Sequence, residues 1–335
     1  MSEKKKTRNK KYDLATPPMY EDCNAEESEK MVDHLRDKAG RRKYNSATSI
    51  YEDYSVKELE EMIEKLLPLH RPLNPPKFGD WRYHYKEPIQ TFADYLGQKV
   101  RLPQGKRRII YIQPLGNFSH KEREIITLTA EFMTYYFGLE VHTQPAMPLD
   151  IIPASAQRIH PKWQVKQILT GHALWEILLK RRPKTAAAFI ALTNVDLWPG
   201  KGWNFVFGQV SFNQRVGVWS IYRNGDPHRD DISFRTCLLR TIKTATHEIG
   251  HIFSMSHCTL YECNMCGTNS QEEADQYPLA LCPECLAKLC WAMNINPIER
   301  FHKLAEFCNK NSLKKEEQIY WKSIKVLETE YGNVT

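Results

Sequence analysis

His247, Glu248 and His251 stand in the order His-Glu-x-x-His, and His257 follows at the spacing H-x-x-x-x-x-H. On a helix, residues four apart project from one face, one turn from each other. His247 and His251 can therefore offer two imidazole nitrogens to one zinc ion, with Glu248 between them beside the ion's water. Zinc takes four ligands, and a catalytic zinc keeps one of the four positions for water. A third protein ligand is needed, and His257 supplies it if the helix breaks before it. The chemistry expected is hydrolysis by a zinc-activated water, with Glu248 as general base.

Cysteines crowd in directly behind. Cys258, Cys263, Cys266, Cys282 and Cys285 lie within one short stretch. Four thiolates around zinc make a closed structural site with no place for water, so five cysteines compete for four positions. Zinc-ribbon spacing pairs Cys263-x-x-Cys266 with Cys282-x-x-Cys285. The other choice pairs Cys258 with Cys263 and leaves Cys266 free.

The wider pattern His-Glu-x-x-His-x-x-Gly-x-x-His is that of metzincins. With the cysteine after the third histidine, Cys-x4-Cys-x-Met and a later Cys-x2-Cys, the stretch resembles the archaemetzincin family. WNFVFGQ at 203–209, EEADQYPLALCPEC at 272–285 and IYIQPLG at 110–116 add to the likeness. It spans roughly 80–307 and does not reach the basic N-terminus. The resemblance implies a structural zinc held by Cys258, Cys263, Cys282 and Cys285, and a Met-turn methionine, Met265, beneath the catalytic zinc. Two zinc ions per chain follow. It also implies an aminopeptidase or a peptidase of narrow specificity, with the substrate laid along the 203–212 strand by strand addition. Adjacency of His257 and Cys258 suggests that the second zinc pins a ligand of the first. Two positions depart from expectation. Ser254 replaces the motif glycine, where a turn with positive φ costs a non-glycine residue about 1 kcal/mol or more. Gly267 stands where some metzincins carry a tyrosine ligand.

These residues need elements to hold them. Asp230–Asp231 start a helix that runs to about Phe253, with Leu239, Ile242, Thr246, Ile249 and Phe253 on a face separate from the histidines. RIIYIQP (108–114), LEVHTQPAM (139–147) and TAAAFIALTNVDLW (185–198) read as strands. Helices at 120–138, closed by Gly138, and at about 164–180 lie between them. Strand–helix–strand order argues a mostly parallel sheet. The strands at 203–212 and 216–223 are joined too tightly for a crossover and must be antiparallel, which makes one an edge. The expected fold is α/β of α+β metzincin type: a twisted, mostly parallel sheet with an antiparallel edge strand, an active-site helix and a small zinc-stabilised C-terminal subdomain. The division expected is 1–80 as extension, 81–257 as catalytic lobe, 258–310 as four-cysteine subdomain and 311–335 as C-terminal helix. Within the extension, 1–48 reads as disordered, and Ser55 and Glu58 form a capping box for a helix that Pro68 stops. Residues 68–107, rich in proline and aromatics, read as a surface wrap. At the other end, Ile319, Trp321, Ile324 and Leu327 form the stripe of the last helix.

The chain has 335 residues, 41% apolar, and a net charge of +7. Lys4, Lys5, Lys6, Arg8, Lys10 and Lys11 supply much of that excess and read as a solvated tail, so no nucleic-acid partner is expected. No apolar run reaches the ~20 residues of a membrane helix, and no apolar segment of a secretory signal follows the lysines. Seven of nine cysteines fall between Cys258 and Cys308, which in a reducing cytoplasm or nucleus points to metal rather than disulfides. An intracellular monomer acting on a peptide or protein substrate is expected. The competing reading is a zinc-stabilised peptide- or protein-binding module with weakened catalysis, which Ser254 alone favours. His172, His228 and His302 lack ligand spacing, and Cys23 lacks the motif of an inhibitory cysteine. Cys290 and Cys308 read as core, and Glu272, Glu273 and Asp275 as serving the loop between cysteine pairs.

Overall fold

The computed structural model describes residues 54–329; the expected disorder at 1–48, the basic run and Cys23 lie outside the described residues. In chain order the helices longer than four residues are α1 (Val56–Leu66), α2 (Phe92–Gly97), α3 (His120–Phe137), α4 (170–181, π-type over Ala173–Leu178), α5 (Asp231–Ile252), α6 (Gln271–Gln276), α7 (Pro283–Met293), α8 (Pro297–Lys310) and α9 (Lys314–Glu328). The strands are β1 (Ile109–Leu115), β2 (Glu140–Thr143), β3 (Gln157–Ile159), β4 (Lys166–Leu169), β5 (Ala186–Thr193), β6 (Asp196–Trp198), β7 (Gly208–Ser211) and β8 (Val216–Ser220). The main sheet has the order β2-β1-β5-β8-β7. Its pairs are parallel except β7–β8, which is antiparallel and leaves β7 at the edge. The fold is thus α/β, with a mostly parallel sheet and an antiparallel edge strand.

Period-two side-chain direction in the strands builds two cores. Ile110, Ile112, Ala188, Ile190 and Trp219 face α3 and α5, where they join one large buried cluster. Phe189, Ala191, Val216 and Val218 face α4 in a second cluster. All residues of β5 are buried, as a central strand covered on both faces requires. The larger cluster takes in α1, α7, α8 and α9 and crosses the boundaries expected at 80, 257 and 310.

Several elements differ from the sequence expectation. The helix at 164–180 starts at Thr170, because Lys166–Leu169 pairs with β3 and β6 instead. The apolar run 185–198 is broken after Thr193. Thr193 Oγ1 accepts from the Val195 amide at 3.3 Å, and β6 then joins a second, three-stranded sheet. Of 203–212 only Gly208–Ser211 is strand; Arg158 and Gln167 instead hold the carbonyl of Asn204 at 3.0 and 2.9 Å. The expected strand 139–147 shortens to β2, whose side chains are mostly exposed. Residues 68–107 are more than a surface wrap, since Phe92, Tyr95 and Leu96 are buried. In α9 Trp321 is 41% exposed, and Tyr320 takes the buried place.

Candidate metal and catalytic site

Helix α5 carries the site. Asp230 caps it, accepting from the Ser233 amide at 2.7 Å. Leu238, Ile242, Ala245, Ile249 and Ile252 are fully buried on one side, leaving His247 and His251 on the other. The helix ends at Phe253, and Ser254 takes φ 69°. The serine adopts the left-handed turn that glycine would adopt without strain. Its environment offsets the cost: Ser254 Oγ accepts from the Arg101 amide at 3.1 Å and its carbonyl from Gln90 Nε2 at 3.1 Å. Gln90 Oε1 also accepts from the Ser256 amide at 2.9 Å, and the Tyr95 hydroxyl donates to the Phe253 carbonyl at 2.6 Å. The 90–101 segment thus braces the turn.

Beyond the turn His257 returns to the helix, and one ligand atom from each of His247, His251 and His257 lies within 4.8 Å of the others. Each Nδ1 has an acceptor. His247 Nδ1 meets the Asn264 carbonyl at 2.8 Å, and His251 Nδ1 the Met255 carbonyl at 2.7 Å. His257 Nδ1 meets both carboxylate oxygens of Glu87 at 2.8 and 2.9 Å. Carbonyl and carboxylate oxygens only accept, so Nδ1 holds the proton and each Nε2 presents a lone pair. The Nε2 atoms of His247 and His251 are 3.0 Å apart. Two lone pairs that close repel unless a cation lies between them, and zinc at 2.0–2.1 Å from each would set them about 3.3 Å apart. Burial lowers His247 to about 3 and His251 well below its usual value, which keeps both neutral and able to ligate.

Glu248 lies against the edge strand. A β-carbon on Gly208 would come within 2.7 Å of Glu248 Oε1, so glycine there makes room for the carboxylate. Burial alone raises the Glu248 carboxyl to about 8. Both line a cavity of about 470 Å³ with the three histidines, Trp81, Phe207, Lys243 and Tyr277.

One Sγ from each of Cys258, Cys263, Cys282 and Cys285 lies within 4.8 Å of the others, and all four residues are buried. Cys258 Sγ and Cys282 Sγ are 3.7 Å apart. That is far beyond the ~2.05 Å of a disulfide and close to the roughly 3.8 Å edge of a tetrahedron of Zn–S bonds. Cys263 Sγ accepts from the Met265 and Cys282 amides at 3.4 and 3.2 Å, as suits a thiolate. The donor types and spacings fit zinc in both clusters. Cys266 is not one of the four but adjoins them: its thiol donates to the Tyr261 carbonyl at 3.4 Å, the carbonyl that also lies 3.5 Å from Cys258 Sγ. The Cys258 amide donates to the Met265 carbonyl at 2.8 Å, which joins the cysteine cluster to the turn behind the histidines. Met265 is fully buried and packs on Gly250 of the histidine motif, where a β-carbon would meet its Sδ at 2.6 Å.

Glu87 and Trp81 have no signal in the motif. Trp81 Nε1 donates to Glu87 Oε2 at 3.0 Å, and the Trp81 ring lies edge-on to His257 with centroids 5.1 Å apart. Burial is the largest single influence on the Glu87 carboxyl and pushes it up, but the bond to and charge of His257, the Trp81 bond and the charge of His247 together leave it below its usual value. Gly267 leaves room for Trp81, whose ring would lie 2.4 Å from a β-carbon there. The Glu273 carboxylate accepts from the Trp81 amide at 3.0 Å and the Asn269 amide at 2.7 Å, and Asp275 pairs with Arg240 at 2.5 Å. The capping box at Thr91 and Asp94 is the one local cue that the 81–98 segment is structured. Of the histidines set aside, His228 Nε2 lies 2.9 Å from Ser119 Oγ and His302 Nε2 3.0 Å from Glu328, while His172 sits in α4. Cys290 and Cys308 are buried in the core. Among the described residues no helix is long and apolar enough to cross a membrane.

The sequence profile of Peptidase family M54 matches residues 186–290, from β5 into α7. Archaemetzincin-2 of Rattus norvegicus is 33% identical over 298 residues, covering 79% of this chain and 82% of the relative. The archaemetzincin of Thermococcus kodakarensis is 33% identical over 190 residues, 54% of this chain and 95% of that one. The crystal structure of archaemetzincin from Archaeoglobus fulgidus aligns at 28% identity with a TM-score of 0.43, covering 54% of this chain and 99% of that one. With the rat relative above 30% identity across most of both chains, this protein belongs to the archaemetzincin family, peptidase family M54.

Proposed function

We propose that the chain is a zinc metallopeptidase of metzincin type. His247, His251 and His257 hold the catalytic zinc, and Cys258, Cys263, Cys282 and Cys285 hold a second, structural zinc. The observation that carries the reading is the convergence of three Nε2 lone pairs beside the Glu248 carboxyl, against an edge strand that has no neighbouring strand on its outer side among the described residues. Zinc at such a site acidifies water and polarises a carbonyl. With zinc bound at the histidines, its charge would oppose the burial that raises Glu248 and keep the carboxylate ionised, so that Glu248 Oε1 or Oε2 would take the proton from water and pass it to the departing nitrogen. The free edge of β7 binds the peptide backbone by strand addition. Gly208 keeps the Glu248 carboxylate close to that backbone, and the Nδ1 acceptors hold the imidazoles in register. Met265 supports the helix from below. Ser254 adopts the turn the motif needs, which favours an active enzyme over a binding module.

Replacing Glu248 with Gln is expected to keep metal at the histidine site and to lower kcat at least about 100-fold. Undiminished turnover of a peptide library would refute the role. The aminopeptidase form carried by the resemblance is tested by comparing free and N-acetylated peptides; equal cleavage of both would refute it.

A further inference from the structure

The edge strand that borders the site ends in a turn surrounded by arginines. Arg101 donates from Nη2 to Asn213 Oδ1, and Arg182 from Nη1 to the Gln214 carbonyl. Arg215 closes the same turn with φ 53°. Burial and then the charges of Arg182, Arg107 and Arg101 lower the Arg215 pKa, which places these three guanidinium groups near enough to act on Arg215. The segments that bring them together, 98–108, 180–184 and 211–216, contain no aspartate or glutamate. Among the described residues, none of Arg101, Arg107, Arg182 and Arg215 has a carboxylate within ion-pair distance. Four like charges gathered without a counter-charge repel one another and create a positive potential of the kind that recruits anions.

The cluster is continuous with the proposed active site. Phe212, 38% exposed, lies edge-on to His251 with ring centroids 5.9 Å apart. The next residue, Asn213, is the one Arg101 holds. The Arg101 amide in turn donates to Ser254 Oγ at 3.1 Å, in the turn between the second and third histidines. A peptide added along β7 therefore passes His251 and Phe212 and continues over the arginines.

We infer that this turn is a specificity site, at which Arg107 and Arg215, with Arg101 and Arg182 behind them, select peptides carrying aspartate or glutamate a few residues to one side of the bond at the zinc. The inference rests on the peptidase reading only for the path of the peptide. Arg101 and Arg182 also tie the turn to the body of the protein. Arg107 and Arg215 are the free pair, and they are the groups that meet the acidic side chains. Such contacts lie at the surface, so salt weakens them strongly beyond the Debye length of about 10 Å at 0.1 M.

The test uses the full chain loaded with zinc and one fixed peptide in which a glutamate, or glutamine as control, is walked through each position on both sides of the bond. Glutamate at one or two neighbouring positions on one side is expected to raise kcat/KM about tenfold over glutamine, with the gain lost near 0.5 M salt. In R107Q/R215N, where asparagine tolerates the positive φ, the glutamate-to-glutamine ratio is expected to fall to about twofold or less. The same ratio is read independently as binding of the peptides to E248Q by fluorescence anisotropy. Should no peptide be cleaved but E248Q still prefer glutamate in an arginine-dependent way, the peptidase reading fails and the acidic-peptide site stands. A glutamate-to-glutamine ratio near one in both assays, or one unchanged in R107Q/R215N, would overturn the inference. So would arginine-dependent binding of oligonucleotides or anionic vesicles with no peptide preference.

Discussion

Glu87 is separated by 170 residues from the histidine it supports, and its loss should be felt at the metal. Its two oxygens lie 2.8 and 2.9 Å from His257 Nδ1. The side chains of the pair are 17% and 25% exposed, so solvent screens the interaction only in part. The other two histidines rest on neutral backbone carbonyls; His257 alone rests on an anion, which makes its Nε2 the strongest donor of the three. Loss of such a supporting group costs about 10- to 100-fold in metal affinity, or about 1.4 to 2.8 kcal/mol. Glu87→Gln keeps an oxygen that can accept from Nδ1 but loses the charge, so a weakening near tenfold is expected. Glu87→Ala frees the imidazole to rotate and leaves Nδ1–H unpaired beside Trp81, so the upper end is expected. The assay is zinc competition against a chromophoric chelator, read as a separate, weaker phase from the four-cysteine site. Circular dichroism and the metal content of that second site check that the fold is intact. An alanine variant with unchanged affinity at the weaker site would show that the His257–Glu87 contact carries no energy.

The remaining consequences concern the frame. Cys285→Ser should abolish tight zinc at the cysteines and, through the Cys258–Met265 backbone bond, weaken the histidine site as well. Unchanged histidine-site affinity in that variant would separate the two. Gly208→Ala puts a methyl 2.7 Å from Glu248 Oε1, so kcat should fall at least tenfold with metal content unchanged; equal kcat would mean that the strand moves aside freely. Ser254→Gly removes a positive-φ cost of about 1 kcal/mol but also a hydrogen bond worth about 1 kcal/mol, and should leave Tm nearly unchanged. Ser254→Ala keeps the cost and loses the bond, and should lower stability by about 1 kcal/mol; a rise in Tm for the alanine variant would contradict this account.

What the sequence discloses divides along chain distance. The motif histidines, the helix under them and the caps at Ser55 and Gly138 are set by neighbours a turn or two away, and spacing alone reveals them. So does the alternation that builds the cores, because period and burial are local. The failures share one cause. Lys166–Leu169 reads as helix because nothing nearby says that β3 and β6 will flank it. The run 203–207 reads as strand because its β-branched and aromatic residues suit one; Arg158, Gln167 and Arg223 hold it otherwise, with the Arg223 guanidinium 3.6 Å from the Phe205 ring centre. The choice among five cysteines rests on a third dimension too, since generic spacing favours Cys263-x-x-Cys266 while the family resemblance favours Cys258-x4-Cys263. What spacing lacks is the grouping in space: one sulfur each of Cys258, Cys263, Cys282 and Cys285 lies within 4.8 Å of the others. The same holds for the strap that carries Glu87, Gln90 and Tyr95. No periodicity links it to the zinc motif, yet it charges one ligand, braces the Ser254 turn and fills the space at Gly267. A histidine motif thus identifies the chemistry, while the residues that set its precision come from segments that the motif cannot point to.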